Sequence, residues 1–208
     1  STGNNPSSGG TAHANWAYVA KGVADPIPSQ SGQSGKFLTT NGSALSFGTV
    51  ADPRTVSAET ATDTGSQYYA FTGIDTSIKR FDVIFRSYSN SGSNEILIQL
   101  GNAGGYATSG YNCGAGYWRD STSTKEHRSN AFRTSGLGGS SYYTTGKFEC
   151  TKINTRWFCN GLFYTTAAND HVFYVCGYVD ISNLNSVRFG DEGGGGDGGA
   201  VQLVTYSG

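Results

Sequence analysis

KFECTKINTRWFCNGLFYTT, residues 147–166, decides the fold. Two strand-length runs, Lys147–Ile153 and Arg156–Thr166, flank a two-residue interruption, Asn154-Thr155. Asn tolerates the backbone of a tight turn, so the stretch predicts an antiparallel hairpin. A two-residue loop also sets the register. Ile153 then faces Arg156, and counting outward brings Cys150 opposite Cys159. That pair falls at a non-hydrogen-bonded position, where Cα atoms lie roughly 4.5 Å apart, at the short edge of the disulfide range.

The same pattern extends in both directions. Lys79–Ser87 alternates Phe81, Val83 and Phe85 against Asp82, Ile84 and Arg86. Glu95–Leu100 alternates Ile96, Ile98 and Leu100 against Leu97 and Gln99. His171–Ile181, Ser186–Gly190 and Val201–Tyr206 read as further strands. Turn-forming clusters separate them: Ser89–Asn94, Gly101–Gly105, Gly136–Ser141, Asn169-Asp170 and Gly193–Gly199. No helical period is sustained. Many short strands at this spacing predict an antiparallel sandwich or barrel.

Composition excludes several classes of function. The 208 residues carry 14 basic and 15 acidic side chains, a net charge of −1. No basic stripe is present to meet a phosphate backbone, so no nucleic-acid partner is expected. No apolar run approaches the ~18 residues that span a bilayer, so no membrane insertion is expected. Four cysteines (Cys113, Cys150, Cys159 and Cys176) without a C-x-x-C make neither a disulfide scaffold nor a zinc ribbon. Methionine is absent, as expected of a chain that is processed or belongs to something longer.

The N-terminal part differs from the rest. Ser1–Thr11 reads as a linker of Ser, Gly, Asn and Thr. Residues 1–50 hold four of the 27 aromatics (Trp16, Tyr18, Phe37 and Phe47) and three charged side chains. Such a segment buries little by itself, and it either stays disordered or orders by winding against identical copies. Within it, Lys36–Thr40 and the alternating Leu45, Phe47 and Thr49 flank Asn41-Gly42, predicting a small hairpin with a two-residue turn. The division expected is an extended linker and neck over residues 1–56 and a β-sandwich over 57–208.

Three stretches carry a family resemblance. SGKFLTTNGSALSFGTV, within Ser31–Val50, resembles the neck motif ahead of receptor-binding tips in bacteriophage tail fibres. Phe71–Leu100 resembles the opening of a C-terminal tail-fibre domain, with Asp75 in place of the usual proline. Leu184–Val204 resembles its close: a V-R-I-type strand, a glycine-rich loop and a last apolar strand. The resemblance implies an all-β, antiparallel, jelly-roll-like sandwich after an extended neck or shaft, assembled as a homotrimer. It implies a virion structural protein of the phage tail, assembled in the host cytoplasm, held by other virion tail proteins. It would attach to a glycan or protein receptor on the host surface. It also implies folding in a reducing cytosol, so the cysteines are not expected to be the basis of stability. A head fibre or capsid-decorating spike is the alternative, followed by a free carbohydrate-binding domain and a polysaccharide depolymerase.

Candidate chemistry is sparse. Asp191, Glu192 and Asp197 in Gly190–Gly199 suggest a calcium loop, but 6–8 oxygen ligands are needed, and a flexible solvated connection is expected instead. Asp75, Asp82, Glu95, Glu126 and Glu149 form no recognisable glycosidase pair, and Asp82 and Glu149 read as outward-facing strand residues. No G-x-S-x-G occurs. No catalytic residue, cofactor or metal is therefore expected. The informative stretch is 101–146, where Tyr106, Tyr111, Tyr117, Trp118, Tyr142 and Tyr143 stand among Gly, Ser, Asn and Thr, with Arg119, Arg128 and Arg133 nearby. Rigid aromatics among small polar residues suit recognition loops. Those seven positions, Tyr106, Tyr111, Tyr117, Trp118, Arg119, Tyr142 and Tyr143, are the candidate receptor contacts, Trp118 and Tyr111 foremost. For each, a place in the core or a subunit interface is the competing role.

Overall fold

The computed structural model describes residues 28–49, 51–62, 65–91, 95–119, 122–134, 142–166, 171–191 and 193–207. Ser1–Thr11, the turn at Gly136–Ser141 and Asn169-Asp170 lie outside the described residues. The described chain is all-β and antiparallel, without a helix. It therefore has no helix long and apolar enough to cross a membrane among these residues.

The chain divides into residues 1–52 and 53–208. In the first unit β1 (Phe37–Thr40) pairs with β2 (Leu45–Gly48). The hairpin is as expected, but its turn is not. Thr40 faces Leu45, so Asn41–Ala44 form a four-residue loop. The Asn41 carboxamide oxygen accepts from the backbone N–H of Ser43 and Ala44, each at 2.9 Å, and this local cap outcompetes the two-residue turn.

The second unit holds two sheets. Its strands are β3 (Arg54–Val56), β4 (Thr60–Ala61), β5 (Tyr68–Thr72), β6 (Arg80–Asn90), β7 (Leu97–Asn102), β8 (Gly105–Tyr106) and β9 (Asn112–Arg119). They continue with β10 (Thr122–Arg128), β11 (Phe132–Arg133), β12 (Tyr143–Ile153), β13 (Arg156–Thr166), β14 (His171–Asp180), β15 (Ser186–Gly190) and β16 (Gly196–Tyr206). The large sheet runs β10-β9-β14-β13-β12-β6-β16-β3, with β4 also on β16; the small one runs β11-β7-β15-β5, with β8 on β7. The boundary falls at Asp52/Pro53, ahead of the expected 56/57, because β3 pairs with β16.

Period-2 alternation explains the core. On β13, Trp157, Cys159, Gly161, Phe163 and Thr165 are buried while the residues between them are exposed. Phe85 of the large sheet meets Phe189 of the small sheet edge-on, with ring centroids 5.4 Å apart. Phe132 and Phe148 bridge the sheets again at 5.2 Å. One buried cluster thus takes residues from both sheets, consistent with a sandwich.

The hairpin at 147–166 has the register read from its sequence. Ile153 faces Arg156, Asn154 takes φ 59°, and Cys150 faces Cys159. These two cysteines are disulfide-bonded, with Cα atoms 4.1 Å apart. Both are buried, so the bridge lies on the core face.

The glycine-rich stretch differs from expectation. From Gly196 it is strand, with irregular pairing to β6 at Gly196–Gly198 and Gly198–Ala200. A Cβ at Gly195 would lie 2.1 Å from the Gly65 carbonyl oxygen. Gly199, at φ 87°, would set one 2.2 Å from the Ser87 carbonyl oxygen. Asp191 is 1 % exposed rather than solvated. At Gly195 and Gly199 the glycines let backbones touch, so part of the expected solvated connection is packed strand.

Candidate functional site

The expected recognition loops are in part strands. β9 and β10 form a hairpin at the edge of the large sheet, with Arg119 facing Thr122 and Cys113 facing Arg128. On β9, Cys113 and Ala115 are buried, Tyr117 packs against the core, and Trp118 is 59 % exposed. The alternation was hidden in the sequence because the outward positions include Gly114 and Gly116, which carry no polar side chain to contrast with the inward row.

The candidates separate accordingly. Tyr111 is 3 % exposed and stacks edge-on with Phe132 at 5.0 Å. Its hydroxyl accepts a hydrogen bond from the Leu100 N–H at 2.9 Å, and burial pushes its pKa up to about 12. Tyr111 is a core side chain, which corrects its place as a foremost contact. Tyr117 is half-buried between His171 and Phe173, at 5.9 and 5.8 Å. Tyr106 belongs to the small sheet, where the Arg188 guanidinium lies 4.5 Å from its ring and 4.5 Å from Tyr68. Tyr106 and Trp118 therefore belong to different sheets. Tyr142 is half-buried and Tyr143 is 51 % exposed. The side chain of Arg119 lies outside the described residues. Arg128 and Arg133 are both tied to Glu95, at 2.6 Å each, and are unavailable as free cations.

Trp118 belongs to a larger surface. Residues facing one another across antiparallel strands share a face. Trp118 faces Val172, which faces Tyr164; Gly116 faces Tyr174, which faces Leu162. Trp118 and Tyr174 have ring centroids 5.6 Å apart, and Phe158 and Tyr178 lie at 6.0 Å. Leu162 is 60 % exposed, and Phe158 and Tyr164 are 43 % exposed each. The outer face of β9, β14 and β13 is thus aromatic and aliphatic. The sequence did not reveal it because Phe158, Leu162 and Tyr164 alternate with the buried row of β13, and such a run reads as a doubly buried strand.

Beside this patch lies a charged network. Lys147 Nζ is 2.6 Å from Glu149 Oε2 and 3.7 Å from Asp82 Oδ2. Arg80 reaches Asp82 at 3.3 Å and Glu149 at 3.4 Å, and the Tyr206 hydroxyl donates to Asp82 at 2.9 Å. Asp82 and Glu149 face each other across β6 and β12, as two glycosidase carboxylates would need to be near. The hydrogen bond from Lys147, then that from Asn160, holds the Glu149 carboxyl below its ordinary range. A carboxylate held ionised is the wrong form for a general acid. Among the described residues no group of three His, Cys, Asp or Glu is placed to hold a metal ion.

The remaining thiols differ. Burial pushes the Cys113 thiol up to about 11, whereas Cys176 is exposed on the outer face. No family model, no curated protein and no solved structure matches this chain.

Proposed function

We propose that the chain is a virion structural protein, the distal part of a bacteriophage tail fibre, that attaches the particle to the host surface without catalysis. What carries this reading in the structure is the exposed apolar face around Trp118, Tyr174, Leu162 and Tyr164. Contiguous apolar surface of this kind marks an interaction site. Aromatic rings supply contact area at low entropic cost. The sequence resemblance supplies the biological setting.

The finer reading is a homotrimer of jelly-roll-like sandwiches. Phe37, Leu38 and Leu45 of the β1–β2 hairpin are all more than a third exposed. A two-stranded hairpin is marginal alone, and association with identical copies would cover these side chains. Light scattering at micromolar concentration is expected to give three times 21.9 kDa, and a monomer would remove the trimer.

Electron cryomicroscopy of the intact particle tests the attachment role. Three copies at the end of a tail fibre are expected. Copies on the capsid would replace the tail reading by the head-fibre one.

A further inference from the structure

A trough crosses the outer face of the large sheet at its β10 edge. It has a volume of about 420 Å³, within the range of small-molecule sites. Gly114 lies in its floor, Lys125 and His127 of β10 on one side, and Tyr174 and Cys176 of β14 on the other. The register explains the shape. Gly114 lies between His127 and Cys176, and Gly116 between Lys125 and Tyr174. Two outward glycines on one strand leave a gap between two rows of side chains.

Gly114 has no internal reason to be glycine. Its backbone is outside the left-handed region. A Cβ there would meet nothing nearer than the Cys176 carbonyl oxygen and Sγ, both at 4.0 Å. Glycine inside a strand weakens it and often marks close approach by a ligand. Among the described residues no close contact offsets that cost, which leaves the space above Gly114 open to something from outside.

The walls give the ligand's chemistry. One is aromatic: Tyr174, continued by Trp118 at 5.6 Å. Such rings receive the C–H face of a pyranose. The other carries charge. Lys125 makes no ion pair among the described residues. Glu126, also in the lining, is engaged by Arg128 and leaves the Lys125 charge uncancelled. His127, with Nε2 3.3 Å from the Asn112 carboxamide oxygen, adds a polar ring. A cation beside stacking surface favours a sugar bearing an anionic group.

We propose that this trough is a binding site for an acidic sugar, a carboxylate-bearing pyranose. The ring stacks on Tyr174 beside Gly114, with the carboxylate toward Lys125. The proposal rests on the attachment reading and names its ligand class.

The test is an array of purified bacterial surface oligosaccharides, some bearing uronic or sialic acids and some neutral, followed by titration of any bound member. The wild-type chain is expected to bind acidic members. Gly114→Phe fills the trough from its floor and is expected to weaken binding at least tenfold at unchanged oligomeric mass. Lys125→Gln is expected to weaken it several-fold and to remove the preference for acidic over neutral sugars. If Gly114→Phe does not fold, Tyr174→Ala carries the same tenfold expectation. The proposal is overturned by no acidic member bound at millimolar concentration, by binding unchanged in the filled variant, or by a change of oligomeric mass that makes the trough a subunit contact. Equal adsorption of wild type and Gly114→Phe to bacterial cells would remove the trough and leave attachment standing. Array binding without adsorption to any cell would do the reverse.

Discussion

Tyr111 and Trp118 have nearly the same surroundings in sequence and opposite roles in the molecule. Tyr111 fills the core and binds the Leu100 N–H; Trp118 stands in solvent against Tyr174. Tyr111→Ala is expected to cost roughly 3–5 kcal/mol, as large-to-small core changes do, and Tyr111→Phe about 1 kcal/mol for the lost hydrogen bond. Trp118→Ala is expected to change stability by less than about 1 kcal/mol. Urea unfolding of the three variants checks this, and equal costs for both alanine variants would contradict the assignment. Glu149 gives a pH dependence. Its carboxyl is lowered from 4.5, chiefly by the hydrogen bond from Lys147. The folded state therefore holds fewer protons than the unfolded one in acid, and the contribution is present above the ordinary carboxylate range. It is lost as pH falls below about 4.5 through the folded value. Because the pair is partly solvated, its size is below about 1 kcal/mol. Melting curves at pH 7 and pH 3 for wild type and Glu149→Gln should converge in acid; a gap that widens toward pH 3 would reverse the sign.

Individual elements carry the packing tests. Gly195→Ala drives a methyl group against the Gly65 carbonyl oxygen and is expected to destabilise by more than about 2 kcal/mol. Gly114→Ala, in open space, is expected to be neutral or slightly stabilising. Calorimetry on both separates the roles of the two glycines, and a neutral Gly195→Ala would mean that the β16 entry is loose. The hairpin offers a second test. Loss of the Cys150–Cys159 bridge, which closes a short loop, removes roughly 2–3 kcal/mol in a chain-entropy model, or about 5–10 °C for a domain of this size. The reduced chain should stay folded at 25 °C, because the aromatic core and not the bridge joins the sheets. Native thiol titration before reduction should find Cys176 alone, Cys113 being buried. Unfolding on reduction would overturn this. The hairpin was legible because Asn154-Thr155 punctuates two alternating runs. β9 and β10 were not, since Gly114 and Gly116 erase the polar half of the alternation. The β1–β2 turn was not legible, because Asn-Gly allows two loop lengths and the Asn41 side chain selects the longer.

At the scale of the molecule, the all-β antiparallel class followed from strand count and turn spacing, whereas the division of candidate contacts between two sheets did not. Pairing in the large sheet brings β9 beside β14 and β13, which lie far from it in sequence, and only that pairing assembles Trp118, Leu162 and Tyr174 on one face. No local pattern encodes such a surface. It gives the proposed function its physical content: a broad apolar face for adhesion, a trough at its edge, and a charged network whose Glu149 is held in the ionised state. The most direct measurement is adsorption of the labelled, purified protein to a panel of bacterial strains, with the medium assayed for released reducing sugar. Saturable adsorption to at least one strain, without sugar release, is the result expected of an attachment protein. Absence of adsorption to every strain, or adsorption accompanied by steady release of sugar, would contradict it.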